Sequence, residues 1–225
     1  MNPLDRPIWS ALTTRQSQFA QGNQLALRFQ ADVEPFAAVA VDDAPSLRAL
    51  AELIPADEPI LLLQSTPSPV PPGTRLVSER TGVQMVAARP ISGDRPTEAV
   101  ALGDGDSSEM IALAEMTRPG PFRARTHRMG RFWGIRREGG LVAMAGERLK
   151  LPGMTEVSGV CTHPDWRGHG FARALSAFVA NRIQQRGETP FLHAYADNAA
   201  AIALYEALGF AVRCEVAVQM FARSG

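Results

Sequence analysis

The most informative segment of the chain is residues 160–173, Val160-Cys161-Thr162-His163-Pro164-Asp165-Trp166-Arg167-Gly168-His169-Gly170-Phe171-Ala172-Arg173. It predicts a strand that ends near Thr162, a short glycine loop, and a helix that begins at Phe171. Glycines let a ligand approach the backbone, and a helix N-terminus offers unpaired N–H donors and a positive dipole end. Arg167 and Arg173 add forked cationic donors that suit phosphate. The segment therefore predicts a site for a phosphate-bearing ligand.

Strands and helices alternate on both sides of this loop. The 3.6-residue spacing of apolar side chains after Phe171 predicts an amphipathic helix that Gly187 ends. Glu138-Gly139-Gly140 between two apolar runs is a hairpin signature. In chain order we predict a helix at 107–118, strands at 131–137, 141–149 and 155–162, a helix at 171–186, a strand at 190–196, a helix at 199–208 and a strand at 210–221. This order indicates a mixed α/β layer.

The first half of the chain is less regular and contains no chemical motif. We predict helices at 8–20 and 44–54, and short strands at 25–29, 35–41, 60–63 and 83–87. The prolines of residues 65–73 require a loop. A second stretch rich in Gly, Pro and Asp, residues 91–106, is the best boundary. It separates an N-terminal lobe, residues 1–100, from a C-terminal domain, residues 107–225.

Composition narrows the function classes. The chain has 225 residues, 45% of them hydrophobic and 20% charged, as in ordinary globular proteins. Its 23 basic and 23 acidic residues give no net charge, which disfavours nucleic-acid binding. The absence of a signal-peptide pattern and of a long apolar run predicts a cytoplasmic protein with no membrane partner. The two cysteines form no Cys-x-x-Cys pair and the four histidines are scattered, so we expect no metal site.

The glycine loop matches neither common nucleotide pattern. Gly-x-x-x-x-Gly-Lys-Ser/Thr is absent, and Gly-x-Gly-x-x-Gly fails because residue 173 is Arg; a nucleotide-binding protein is thus a minor alternative. The pattern present is Arg-x-x-Gly-x-Ala at 167–172. It resembles the acyl-CoA pyrophosphate loop of the GNAT superfamily of N-acetyltransferases. A second block, Asn198 through Tyr205-Glu206-Ala207-Leu208-Gly209-Phe210, resembles the family's Asn-x₆-Tyr-x-x-x-Gly-Phe.

The resemblance covers about residues 107–221 and is strongest at 157–210. It implies an α/β (α+β) fold with a GNAT-type mixed central sheet flanked by helices. By analogy with two-lobed relatives such as the glycine N-acyltransferase-like proteins, the N-terminal lobe would be a smaller or degenerate GNAT-like copy that covers part of the acceptor cleft.

The resemblance also implies which residues bind acetyl-CoA as co-substrate. Backbone groups of Val160, Cys161 and Thr162 would contact the pantetheine arm. The residues that would hold the pyrophosphate are Arg167, Gly168, His169, Gly170, Phe171, Ala172 and Arg173. Asn198 would contact the pantetheine or cap its own helix.

The implied reaction moves an acetyl or other short acyl group to a primary amine by direct attack in a ternary complex. Tyr205 stands where the family often has a tyrosine that protonates the leaving thiolate. The amine must lose a proton, and the candidate acceptors are Glu156, His193, or an ordered water. His193 suits this role because histidine titrates near neutral pH. Cys161 as an acyl-carrying nucleophile is a disfavoured alternative.

The acceptor amine cannot be identified from the sequence, since no motif marks the region that would bind it. We expect a small molecule or a peptide, and the sequence leaves a homodimer open. A second function class stays open as well: a non-catalytic CoA-binding sensor or partner module on the same fold. Release of thiol from acetyl-CoA in the presence of amines would separate the two.

Overall fold

The computed structural model describes residues 2–224. Its helices are Pro7–Thr13 (α1), Ala44–Leu53 (α2), Ser107–Thr117 (α3), Phe171–Gln185 (α4) and Ala199–Leu208 (α5). Its strands are Ala20–Gly22 (β1), Ala26–Phe29 (β2), Ala37–Val39 (β3), Ile60–Gln64 (β4), Thr74–Ala87 (β5), Ala99–Leu102 (β6), Phe132–Arg137 (β7), Gly140–Leu151 (β8), Met154–Thr162 (β9), Thr189–Tyr195 (β10) and Phe210–Arg223 (β11). Among the described residues, no helix is long and apolar enough to cross a membrane.

One large mixed sheet organises the molecule. Its eight strands lie in the order β4-β11-β5-β10-β9-β8-β7-β6, and a three-stranded sheet, β1-β2-β3, lies near the N-terminus. Only β9 and β10 pair in parallel; the other neighbours in the large sheet are antiparallel. The structure thus confirms the mixed sheet flanked by helices.

Helices α4 and α5 begin and end at residues that suit the ends of helices. Gly170 precedes α4 with φ 77°, a left-handed conformation that glycine adopts without a steric penalty. The Asn198 side chain accepts a hydrogen bond from the backbone N–H of Ala201 and so caps α5. Gly209 ends α5 with φ 109°. The sequence predicted the limits of both helices closely.

The parallel strands β9 and β10 separate after three residue pairs. Their register joins Thr189 to Met154, Pro190 to Thr155 and Phe191 to Glu156, and it goes no further. On its other side, β9 has an irregular register with β8, which pairs Met144 with Cys161 and Gly146 with Ser158. The sheet therefore has an opening between β9 and β10 that begins directly after Glu156.

The two segments on either side of the predicted boundary share this sheet. Strand β5 lies between β10 and β11, and β4 pairs with β11. A common core joins Leu4, Ile8 and Phe29 to Leu149 and Phe191. These contacts place the residues before this boundary, called the N-terminal segment below, against the opening between β9 and β10. The division into two lobes at 91–106 stays a prediction.

Two sequence predictions in the first half are wrong in their limits. Helix α1 ends at Thr13, not at Ala20. Strand β5 begins at Thr74, not at Val83, and residues 75–81 are exposed. This run has no alternation of apolar and polar residues, since Leu76 and Val77 are adjacent and both exposed, and its strand structure comes from pairing with β11. The boundary stretch 91–106 also contains β6, which pairs with β7.

Candidate active site

The glycine loop lines one wall of a groove. This loop groove, ≈ 720 Å³ in volume, runs between the start of α4, the end of β9 and α5. A Cβ atom at Gly168 or Gly170 would meet no atom within 4 Å, so the backbone here is open to a ligand. The sequence-predicted loop residues that line the groove are Arg167, Gly168, Gly170, Phe171, Ala172 and Arg173.

His169 is placed differently from the rest of the predicted loop. Its ring stacks on Phe171, with centroids 5.5 Å apart, and its Nδ1 lies 3.1 Å from the carbonyl oxygens of Trp166 and Arg167. It is not among the residues that line the groove. These contacts give His169 a part in fixing the loop conformation.

The end of β9 forms the floor of the groove. Val160, Cys161 and Thr162, the residues expected to contact the pantetheine arm, all line it. Burial raises the pKa of the Cys161 thiol to about 11, so the thiolate is scarce at neutral pH. This thiol is therefore poorly suited to carry an acyl group.

Tyr205 and Asn198 lie where the loop groove meets a smaller inner chamber of ≈ 160 Å³, because both residues line both spaces. Tyr205 is buried, and burial raises the pKa of its phenol well above the usual range. The phenol is thus protonated at any physiological pH and can donate a hydrogen bond.

Glu156 and His193 meet at the point where β9 and β10 separate. His193 Nδ1 lies 2.8 Å from Glu156 Oε1. The Arg148 guanidinium donates to both oxygens of Glu156, over 2.9 and 3.1 Å, and the backbone N–H of Leu149 donates over 3.3 Å. Burial opposes ionisation of this carboxyl, but the Arg148 charge and the His193 hydrogen bond lower the pKa of Glu156 to about 2.

Gln84 on β5 determines which nitrogen of His193 holds the proton. Its Nε2 donates to the carbonyl oxygen of Leu4 and lies 3.0 Å from His193 Nε2, while its Oε1 accepts from Arg213. Because the Gln84 amide presents an N–H to His193 Nε2, that nitrogen is the acceptor. The neutral ring therefore carries its proton on Nδ1 and donates it to ionised Glu156.

The inner chamber connects to a wider space on the far side of the opening. This outer cleft, ≈ 680 Å³ in volume, shares Leu61, Arg118, Gly120, Pro121, Tyr195 and Val218 with the inner chamber. His193 lines the inner chamber between the two larger spaces. Phe36, Leu61 and Leu63 of the N-terminal segment also line it, so this segment covers part of the cleft.

Sequence analysis missed a buried carboxyl behind the site. Glu34 is fully buried, and neither of its oxygens has a hydrogen-bond partner within residues 2–224. Burial raises the pKa of Glu34 to about 8, against the charge of Arg148. The only sequence signal was an acidic residue inside the apolar run around Val33 and Phe36.

Comparisons with known proteins agree with this geometry. Residues 132–218 match the model of the family described as FR47-like protein. A crystal structure from Novosphingobium aromaticivorans DSM 12444, of a protein from the GNAT family, is 41% identical, covers 100% of both chains and has a TM-score of 0.94. This chain belongs to the GNAT family of acetyltransferases.

Two curated relatives match only locally. Mycothiol acetyltransferase of Kocuria rhizophila is 45% identical over 60 residues, which are 26% of this chain and 20% of the relative. The [ribosomal protein bS18]-alanine N-acetyltransferase of Escherichia coli K12 is 44% identical over 52 residues, 23% of this chain and 35% of the relative. The aligned stretches thus span about a fifth and about a third of these relatives.

The groove leads to a test of ligand binding by Arg167 and Arg173. Because a charged hydrogen bond contributes about 1.5–3 kcal/mol, we expect Arg167→Gln and Arg173→Gln each to raise the Kd for CoA by roughly 10–100-fold. Isothermal titration with CoA and with pantetheine, which lacks the pyrophosphate, measures the effect. Arg182→Gln, on the same helix outside the groove, is the control. An equal loss of affinity for pantetheine would contradict a phosphate contact.

Glu34 leads to a test of pH-dependent stability. Its pKa is raised from 4.5 to about 8 in the folded protein, so folding favours the protonated form and the stability it confers is lost as pH rises from 4.5 to 8. We expect Glu34→Gln to raise the Tm by roughly 10 °C at pH 8 and to have little effect at pH 4.5. Thermal unfolding by circular dichroism measures this, and a Tm gain that is equal at both pH values would contradict the buried-acid explanation.

Proposed function

We propose that this protein transfers an acetyl or other short acyl group from acetyl-CoA to a primary amine of a small molecule or a peptide, by direct attack in a ternary complex. The observation that carries the proposal is the continuity of three spaces across the opening between β9 and β10. The loop groove on one side meets the outer cleft on the other through the inner chamber, which His193 and Tyr205 line.

The glycine loop and the end of β9 would hold the co-substrate. Acetyl-CoA supplies the activated thioester carbonyl that an amine can attack. Gly168 and Gly170 leave the backbone open, and Arg167 and Arg173 line the same wall. Direct transfer suits this site because the Cys161 thiol, whose pKa is raised to about 11, is a poor nucleophile.

In this proposal His193 accepts the amine proton and Glu156 orients His193. The Glu156 oxygens already accept hydrogen bonds from Arg148, Leu149 and His193, and a carboxyl with a pKa of about 2 is a weak base. His193 Nε2 has a lone pair, and the side chain lines the chamber. The Gln84 N–H that faces this lone pair must move away before the amine proton arrives.

Tyr205 would stabilise the leaving thiolate. Its phenol lies at the junction of the loop groove and the inner chamber. Since burial raises the pKa of Tyr205, the phenol gives up a proton reluctantly but donates a hydrogen bond well. A thiol has an ordinary pKa of about 8.5, so the CoA thiolate is a fair leaving group. A hydrogen bond from Tyr205 is therefore enough to stabilise it as it forms.

Release of thiol separates an acetyltransferase from a protein that only binds CoA. The purified protein is incubated with acetyl-CoA and a panel of amines, amino acids and short peptides, and free thiol is followed with a thiol reagent. Thermal shift with acetyl-CoA is measured in parallel. A Tm shift with amine-dependent thiol release supports the enzyme. A Tm shift without thiol release from any amine would favour a non-catalytic CoA-binding module.

Tyr205→Phe tests the leaving-group role. The change removes the hydroxyl and keeps the ring that packs edge-on against Phe210, 6.0 Å between centroids. A hydrogen bond to a charged group contributes about 1.5–3 kcal/mol, so we expect kcat to fall by roughly 10–100-fold. The Kd for CoA, measured by titration, should stay within about twofold, since no packing is lost. An unchanged kcat would leave Tyr205 with a packing role only.

His193→Gln tests the base. Glutamine can still reach Glu156 but does not titrate, so the acidic limb of the pH profile of kcat/KM should disappear or shift, and kcat near neutral pH should fall by roughly 10²-fold. Steady-state kinetics between pH 5.5 and 9 measure both, with circular dichroism as a check on folding. An intact acidic limb would show that another group or an ordered water accepts the proton.

A further inference from the structure

Arg118 lies where the loop groove, the inner chamber and the outer cleft meet. It follows α3 directly and lines the loop groove, the inner chamber and the outer cleft. Its side chain is exposed. Within residues 2–224, no ion pair involves its guanidinium. An arginine without a partner at a cleft junction can bind an anionic group of a ligand.

The backbone of Arg118 is in an unusual conformation for this residue type. It has φ 51° and ψ 54°, the left-handed region, and its N–H donates to the carbonyl oxygen of Ala114 over 2.7 Å. Glycine is the usual residue at such a helix end, and a side chain there carries a steric cost. A bulky cation therefore stands where helix capping alone favours glycine.

The charges around the inner chamber favour an anionic ligand. Among residues 2–224, the ionisable side chains that line it are Arg118, Arg148, His193, Tyr195 and Tyr205, and none of these is a carboxylate. The Arg148 charge is already balanced by Glu156. Arg118 is thus the cation in this chamber that is available to a ligand.

The outer cleft has a second arginine. Arg80 lines this space, lies 3.7 Å from the centre of the Tyr195 ring and pairs with exposed Asp197 over 2.9 Å. Glu115 is the one carboxylate among the described residues that line it. The cationic side chains on this wall are therefore Arg80 and Arg118, and Arg118 is the one shared with the inner chamber.

We propose that Arg118 binds a carboxylate of the acceptor, so that the acceptor is a small amine that carries a carboxylate, such as an amino acid. This inference rests on the proposed function and narrows its substrate class. Binding of the carboxylate at the junction places the amine in the inner chamber, beside His193. A small volume, ≈ 160 Å³, suits a short acceptor.

Matched pairs of substrates test the carboxylate. Glycine, L-alanine and β-alanine are each compared with their carboxamides in the thiol-release assay. The amides lose the ammonium proton more readily, so a preference for the acids opposes the intrinsic reactivity. We expect the wild type to have a kcat/KM at least 10-fold higher for at least one acid than for its amide, as roughly expected for a charged hydrogen bond.

Variants at position 118 separate the side chain from its backbone. Arg118→Gln should lower kcat/KM for the acid by roughly 10–100-fold, mainly through KM, and leave the amide unchanged. Arg118→Gly fits the left-handed backbone, so it should keep the wild-type Tm and lose the same discrimination. Arg48→Gln, an exposed arginine on α2 that lines none of these spaces, is the control and should leave both rates unchanged.

The outcomes distinguish this inference from the proposed function. Equal rates with acids and amides in the wild type would overturn the carboxylate site and leave the acetyltransferase standing. A raised KM for acetyl-CoA in Arg118→Gln, with acid discrimination intact, would assign Arg118 to the co-substrate instead and would also overturn the inference. Thermal stabilisation by acetyl-CoA without turnover of any amine would overturn the proposed function, and the acceptor site with it.

Discussion

The buried pair of Arg148 and Glu156 is the constraint on which the site depends. It lies where β9 and β10 stop pairing, so two buried opposite charges stand at the start of the opening. A buried ion pair contributes little net stability, but loss of one partner costs about 3–5 kcal/mol because the other charge is left uncompensated. The pair keeps Glu156 ionised, and ionised Glu156 fixes the orientation of His193.

The N-terminal segment completes this arrangement. Gln84 of β5 contacts His193 from the side opposite Glu156, and the carbonyl oxygen of Leu4 fixes Gln84. The guanidinium carbon of Arg148 lies over the Phe36 ring, 5.2 Å from the centre of that ring. The loop groove, the proposed base His193 and the outer cleft are therefore built from distant parts of the sequence. The large sheet brings them together. Residues with no motif of their own determine the tautomer of the proposed base.

The sequence was most informative where local chemistry is sufficient. The glycine loop, the Asn198 cap and the position of Tyr205 depend on residues close in the chain, and both Asn198 and Tyr205 line the loop groove. The Arg148–Glu156 pair could not be predicted, because the register between β8 and β9 is irregular. Gln84 and Arg118 were missed because pairing across the sheet and the meeting of three cavities leave no mark in a single sequence.

The most direct experiment determines the tautomer of His193. Long-range ¹H–¹⁵N correlation spectra of the imidazole rings at neutral pH report which nitrogen carries the proton, and His193→Gln assigns the signal. We expect the proton on Nδ1, donated to Glu156, and a bare Nε2 facing Gln84. A proton on Nε2, with Nδ1 bare, would contradict it, because Glu156 would then be protonated or turned away and His193 could not serve as the proposed base.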